Sequence, residues 1–330
     1  MKSRVLPIAV VLMLLPVLLL AQRTARIQLG SVLPANSVWD RSLKEMAVEW
    51  EEETDGRVEL RVQSGAFRDE AALLRRLKRG RPHAAVFGQP GDIHEAFNVL
   101  SIPFFFESDE EAFHVIESLT PTFEQILQDE GLVLLNWGHA GWAHFFTEER
   151  VETLDDLKRT KVYTAAGDDQ MLQWYKENGF DPEPLAYTDM LLGLNTGLIN
   201  AHPSPPYVAL LFQWYEKTPF MLEVPLAPVL GVTVMAESSW SRISQADQEA
   251  LRASAKRLEQ ELLEDVPAQE EASIQQMKQR GLTVVELDNA AKASFRAVAD
   301  ALTASWRGNM IPAEVYDLAV RERDSFRASR

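Results

Sequence analysis

In the stretch ELRVQSGAFRDEAALLRRLKRGRPHAAVFG, Glu59 to Gly88, two hydrophobic spacings follow one another. RVELRV places Val58, Leu60 and Val62 on one face with the period of two that a strand requires. Asp69 can then cap a helix with Leu73, Leu74 and Leu77 inside, stopped by Gly80. AAVFG, short, apolar and bounded by glycine, suits a buried parallel strand. Upstream, RIQLGSVL reads as a strand from Arg26. Trp39, Leu43, Met46, Ala47 and Trp50 recur at helical spacing until Gly56. This β-α-β-α-β order predicts an α/β sheet covered by helices.

A second set of the same kind follows. LVLLNW is another buried-strand candidate, LDDLKR a linking helix, KVYTA a strand, and Asp169 to Gly179 a helix with Met171, Leu172 and Tyr175 inward. Two α/β units in one chain predict two lobes with a cleft between them, because ligands of such sheets sit at the carboxyl ends of the strands. The last third is mostly helical. Ser244 and Asp247 start a helix lined by Leu251, Ala255, Leu258 and Leu262, and Pro267 is expected to kink or break it. LTVVEL then leads to a last helix carrying Phe295, Val298, Leu302 and Trp306.

The chain has 330 residues, 46% of them hydrophobic, enough for about two domains. At its start Lys2 and Arg4 precede an apolar run, Val5 to Leu20, shorter than the roughly 18 residues of a spanning helix. A signal peptide over 1–21, cleaved after Ala21, is expected. The chain has no cysteine, which removes disulfides, thiolate metal sites, cysteine nucleophiles and a lipid-accepting residue together. The exported product is expected to be free in the periplasm. Its formal charge of −16 becomes −18 once Lys2 and Arg4 are lost, and such a surface repels nucleic acid.

An enzyme is not expected. The six histidines show no metal spacing, and no phosphate loop or nucleophile elbow is present. Paired acids such as Asp155 with Asp156 read as solvated helix faces. No metal or cofactor is expected.

The quoted stretch resembles the opening of the extracytoplasmic substrate-binding proteins of TRAP transporters, receptors of ion-driven secondary uptake. LGSVLPANSVW, LSIPFFFES, GWAHFFTEERVETLDDLKRTKV, LLGLNTGLINA and MAESSWSRISQADQEALRASA extend the likeness, in order, from about Arg26 to Phe295. The resemblance implies a two-lobed periplasmic binding protein fold with a hinge and a long helix spanning both lobes. It implies lobe I at 26–147 plus 237–275 and lobe II at 148–236 plus 276–330. It also implies a small-molecule ligand and small and large membrane subunits as partners.

Three departures bear on the cargo. Typical members carry, in the strand after the LDDLK-like helix, an arginine that bridges the ligand carboxylate; Tyr163 stands there. A second arginine usually follows the aromatic of the GW segment, where this chain has Ala143. The asparagine of the later loop stands as Ser204 within AHPSPPY. Losing one partner of a buried charge pair costs about 2 to 5 kcal/mol, so an enclosed carboxylate needs another cation. Arg68, His139, His144 and His202 are the candidates, each more simply a solvated or hydrogen-bonded wall residue.

The wall-forming supply is apolar and aromatic: Val32, Leu33, Phe87, Trp137, Trp142, Trp174, Tyr187, Tyr207, Phe212 and Trp214, some of them core. These suit a flat or hydrophobic molecule better than a small diacid. The expected function is therefore a periplasmic receptor for an apolar or neutral solute. An organic-acid receptor anchored by Arg68 or a histidine, and a non-transport scaffold or signalling adaptor, stand as alternatives.

Overall fold

The computed structural model describes residues 24–330 except 34, 36 and 68, so the expected signal peptide and Arg68 lie outside the described residues. The chain opens with β1 (Ala25–Gly30), α1 (Val38–Glu53), β2 (Val58–Gln63), α2 (Glu70–Leu77) and β3 (Ala84–Phe87). β1 lies between β2 and β3 with both pairings parallel, so all three strands end on the same side. Ser37 and Asp69 cap the two helices as N-terminal acceptors.

After α3 (Asp109–Asp129) comes β4 (Leu132–Thr147), a 16-residue strand where only LVLLNW was expected. A second unit follows: α4 (Leu154–Lys158), β5 (Lys161–Ala165), α5 (Asp169–Glu177), β6 (Asp181–Leu185), α6 (Met190–Thr196), β7 (Ala201–Ser204) and α7 (Pro206–Leu211). The chain returns through β8 (Phe220–Leu222), β9 (Ala227–Ala236) and α8 (Glu237–Trp240) to α9 (Gln245–Lys278). β10 (Thr283–Val285), α10 (Asn289–Trp306) and α11 (Ala313–Ala328) complete it.

The ten strands run β2-β1-β3-β9-β4-β7-β5-β6, with β8 joining β4 and β10 beside it. β4 belongs to both halves. Its first part pairs with β9 against the first unit, and His144 to Thr147 pair with β7 of the second. Its register slips between His139 and Trp142, a bulge that lets one strand turn from one sheet into the other.

Three features differ from expectation. Pro267 lies inside α9, which runs on through 34 residues without breaking. The helix packs on α1, β4 and α7, and the buried Leu258, Leu262, Val266, Ser273 and Met277 hold it on both sides of the proline. β9, expected with lobe II, hydrogen-bonds to β3 and to the first part of β4. α11, also expected with lobe II, packs on α3. Its Val315 and Ala319 lie in the first core, and its Arg327 pairs with buried Glu111 at 2.5 Å.

The first core gathers Phe97, Phe123 and Trp137 around α3, β4 and β9, with Phe97 stacked on Phe123 at 4.5 Å. The second-unit cores collect Val162, Phe180, Leu222 and Phe295 on one side of β5 and Met190, Ile199 and Trp214 on the other. α10 ties the halves together, with Phe295 in one core and Leu302 and Trp306 in the other.

Candidate functional site

The carboxyl ends of β1 and β3 and those of β5 and β6 carry the loops that meet between the halves. In the first half, Glu70 opens α2 and its carboxylate accepts N–H bonds from Gly88 (2.7 Å) and Gln89 (2.9 Å), just past β3. Burial pushes this carboxyl up to about 7, and the charge of Asp92 adds to the effect. Asp92 itself is raised, first by burial and then by the charges of Asp168 and Asp69.

In the second half, Tyr163 lies in β5 opposite Glu183 of β6 and is only 9% exposed. It packs with Met190, Leu194, Ile199 and Trp214, and its hydroxyl has no hydrogen bond among the described residues. Burial pushes it up to about 12, followed by the charge of Asp168. Asp168 caps α5 by accepting from the N–H of Met171 at 2.9 Å, and burial raises it too. Tyr187, just past β6, stands edge-on to Phe212 at 5.9 Å and to Trp214 at 5.3 Å. Although 39% of Tyr187 is exposed, its hydroxyl is desolvated and raised, with contributions from Tyr163 and from Glu70 of the other half. The charge of Glu70 thus reaches Tyr187, and that of Asp168 reaches Asp92, across the two halves.

Beside this face lies the bulge of β4. Gly141 has φ +94°, and a Cβ there would sit 2.4 Å from Oε1 of Glu270 on α9. That oxygen accepts the N–H of Trp142 at 2.6 Å, while the Trp142 indole donates to Asp109 Oδ1 at 2.7 Å. His139 Nε2 is 3.5 Å from the same Asp109 oxygen. Burial pushes Glu270 up to about 7, with Asp109 adding, and pulls His139 below its ordinary value.

Of the residues expected to line a cleft, Tyr163 and Tyr187 meet on this face, and Leu33 is half-buried just past β1. Trp142 and His139 belong to the bulge. Ala143, half-buried, pairs with Ala227 across β4 and β9. Phe87 and Trp137 are interior to the first core instead of standing on a wall. His202 is fully buried, stacked on Phe146 and bonded to Thr218 at 3.1 Å, with its pKa pulled down to about 3. It cannot serve as a cation. His144 turns to the Leu222 carbonyl at 2.9 Å, on a groove under the end of α9. Ser204 donates to the adjacent Pro205 carbonyl at 3.1 Å, and Tyr207 is half-buried on α7. Phe212 is half-buried and Trp174 bridges two cores.

Sequence reasoning passed over Glu70, Asp92, Asp168 and Glu270. The usable signal for the first three was their place: each follows or faces the end of a predicted parallel strand.

Comparison with known proteins gives one consistent picture. The family model described as bacterial extracellular solute-binding protein, family 7, matches residues 29–309. A solute-binding protein of Chromohalobacter salexigens is 30% identical over 270 residues, covering 78% of this chain and 77% of its own. The sialic acid-binding periplasmic protein SiaP of Vibrio cholerae is 22% identical over 270 residues, covering 79% of this chain and 83% of its own. A crystal structure of a TRAP periplasmic solute-binding protein from Chromohalobacter salexigens with bound D-glucuronate superposes with a TM-score of 0.83 at 25% identity. It covers 90% of this chain and 99% of that one.

Proposed function

The chain belongs to the bacterial extracellular solute-binding protein family 7, the solute receptors of TRAP-type transporters, and from that premise we propose which kind of solute it takes and how. The protein is exported on a signal peptide over 1–21 and works in the periplasm. There it closes on a small molecule and delivers it to the small and large membrane subunits of its transporter. Closure bends the crossings of β4, β9 and α9, with β9 and α11 travelling with the first lobe.

The solute is largely apolar or neutral where it meets the second lobe and is not a small dicarboxylate. The observation that carries this is Tyr163. It fills the β5 position of the family's carboxylate-binding arginine with a nine-tenths buried phenol whose hydroxyl has no hydrogen bond among the described residues. A carboxylate buried there would go unpaired, which is strongly unfavourable. His202 and His144 supply no replacement, since burial lowers the pKa of both. The relative from Chromohalobacter salexigens holds D-glucuronate, so the reading departs from that protein's cargo.

Calorimetry against small diacids, sugar acids and hydrophobic compounds tests this. The wild-type protein should bind from the last group, and Tyr163→Arg should weaken that binding about 30-fold by putting a solvated charge where the aromatic ring stands. Micromolar binding of succinate or a sugar acid, lost in Arg68→Ala, would overturn the cargo reading and leave the receptor standing.

A further inference from the structure

The outer edges of the sheets are guarded unevenly. An edge strand exposes a row of unpaired N–H and C=O groups, which proteins protect with charges, prolines or a covering element. β2, at one end of the strand order, carries Glu59 and Arg61 joined at 2.7 Å. β6, at the other end, reads DPEPL, and its Pro182 and Pro184 have no N–H to donate. The first part of β4, with no strand on the side away from β9, is sealed by α9. Arg252 donates to the Leu134 carbonyl at 3.1 Å, and Glu259 and Glu270 accept the N–H groups of Trp137 and Trp142 at 3.0 and 2.6 Å.

β10 has no such guard. Its sequence, TVV, contains neither charge nor proline, and β8 is the only strand beside it. The parallel register uses Thr283 and Val285: the Thr283 N–H reaches the Pro219 carbonyl at 2.8 Å, and the Val285 carbonyl accepts from Glu223 at 3.0 Å. In such a ladder the residue between them points its groups the other way. The N–H and C=O of Val284 therefore face outward, with no hydrogen-bond partner among the described residues.

Against this edge runs a groove of about 560 Å³ between the sheet and the last turns of α9. Phe146 stands opposite Met221 and Met221 beside Val284, so these side chains share one face, where Leu282 and Ile274 join them. His144, two residues before Phe146 and so on the same face, is 9% exposed and lines the groove. Its Nδ1 donates to the Leu222 carbonyl at 2.9 Å. That leaves Nε2 as an acceptor facing the groove, with no partner among the described residues. Burial holds the ring below its ordinary pKa, which keeps that acceptor available.

Charge selects the occupant. On the rim Glu223 is held by Lys292 at 2.6 Å, whereas Glu271 and Glu286 have no ion pair among the described residues. A second copy of this chain, pairing β10 with β10, would bring those acids face to face on two bodies that each carry a formal charge of −16. A basic strand meets the edge and the rim together. We propose that β10 and its groove bind an extended, basic segment of a partner protein, which pairs with Val284, lays apolar side chains over Met221 and Ile274, and donates to His144 Nε2. The site uses none of the residues placed at the solute face, so it adds a second recognition surface to the receptor.

The test uses the capped hexapeptides KVKVKV, EVEVEV and KVPVKV, titrated into isotopically labelled mature protein with amide shifts and hydrogen exchange as the readouts. KVKVKV should shift the amides of Val284 and Glu286 and slow exchange at Val284 about tenfold, with the other two binding at least about tenfold more weakly. Val284→Pro removes the outward donor and leaves the ladder to β8, which uses its neighbours. It should weaken KVKVKV about tenfold, read at Glu286. The double variant Glu271→Lys with Glu286→Lys changes only exposed side chains, and it should weaken KVKVKV by about the same factor while strengthening EVEVEV.

Binding of KVKVKV that neither variant weakens overturns the inference, as does equal binding of all three peptides or no shift at Val284 up to millimolar peptide. A dimer that Val284→Pro dissociates also overturns it, by making a second copy the occupant. Solute binding is measured separately, so each of these outcomes leaves the receptor reading standing.

Discussion

Glu70 and Glu270 are two carboxyls in one chain that burial pushes to the same value, about 7. Each accepts backbone N–H bonds, Glu70 from Gly88 and Gln89 and Glu270 from Trp142. Each has a second acid nearby, Asp92 for the one and Asp109 for the other. Their surroundings separate them. Glu270 is packed against the bulge of β4 with Asp109, Trp142 and His139 closing the set, and it joins the long helix to the strand that crosses between the sheets. Glu70 lies on the face shared by the two lobes, where its further neighbours, Tyr187 and Asp168 through Asp92, come from the opposite side. The same kind of raised carboxyl thus fastens a strand bulge to the long helix in one place and stands at the strand ends between the halves in the other.

The largest expected effect breaks the hinge half of this comparison. Gly141→Ala puts a Cβ where Glu270 Oε1 lies and forces a side-chain residue to φ +94°. It should destabilise the protein by about 2 kcal/mol and lower the thermal midpoint by roughly 5 °C. An unchanged midpoint would mean that the bulge and Glu270 are not locked together.

Next comes pH. With a folded value of about 7 against the ordinary 4.5, Glu270 holds a proton in the fold that the unfolded chain releases. Its stabilising contribution is complete below about 4.5 and is lost as pH rises through about 7. His139, pulled down by burial beside Asp109, acts with the opposite sign, losing its contribution as pH falls through its folded value. Glu270→Gln should therefore flatten the stability profile between pH 5 and pH 8, by on the order of 1 kcal/mol, against wild type with His139 intact. Glu70→Gln should do the same without solute, and to a different extent once solute fills the face between the lobes. Equal behaviour of the two variants with and without solute would dissolve the distinction.

The smallest effect is expected at Ser204, whose hydroxyl only reaches the adjacent Pro205 carbonyl. Ser204→Ala should cost about 0.5 kcal/mol and leave solute affinity unchanged. A tenfold loss of affinity would place Ser204 on the solute after all.

The alternation of strand and helix was legible because glycine and period-two or helical spacing agree at each step, as at Val58, Leu60, Leu73 and Gly80. The length of β4 was not. Gly138 and Gly141 interrupt its pattern, and only the packing of Trp39 over Gly138 and of Glu270 over Gly141 explains why the strand continues. Pro267 misled for a similar reason: local propensity argued for a break that burial on both sides of it overrides.

At the site, Tyr163 and Tyr187 could be read as aromatics at strand ends. Phe87, Trp137 and His202 look the same in sequence, and only burial assigns them to the interior. Glu70, Asp92 and Asp168 were hidden by ordinary roles. Asp168 does cap α5, and Glu70 does open α2; what sets them apart is the company that the opposite lobe provides.

The central claim concerns the charge of what the lobes enclose, and the most direct measurement is mass spectrometry of the solute released from protein isolated from a periplasmic extract. The account predicts a largely apolar or neutral molecule with no free carboxylate pair. A uronate or another sugar acid, stoichiometric with the protein and lost on Arg68→Ala, would contradict it.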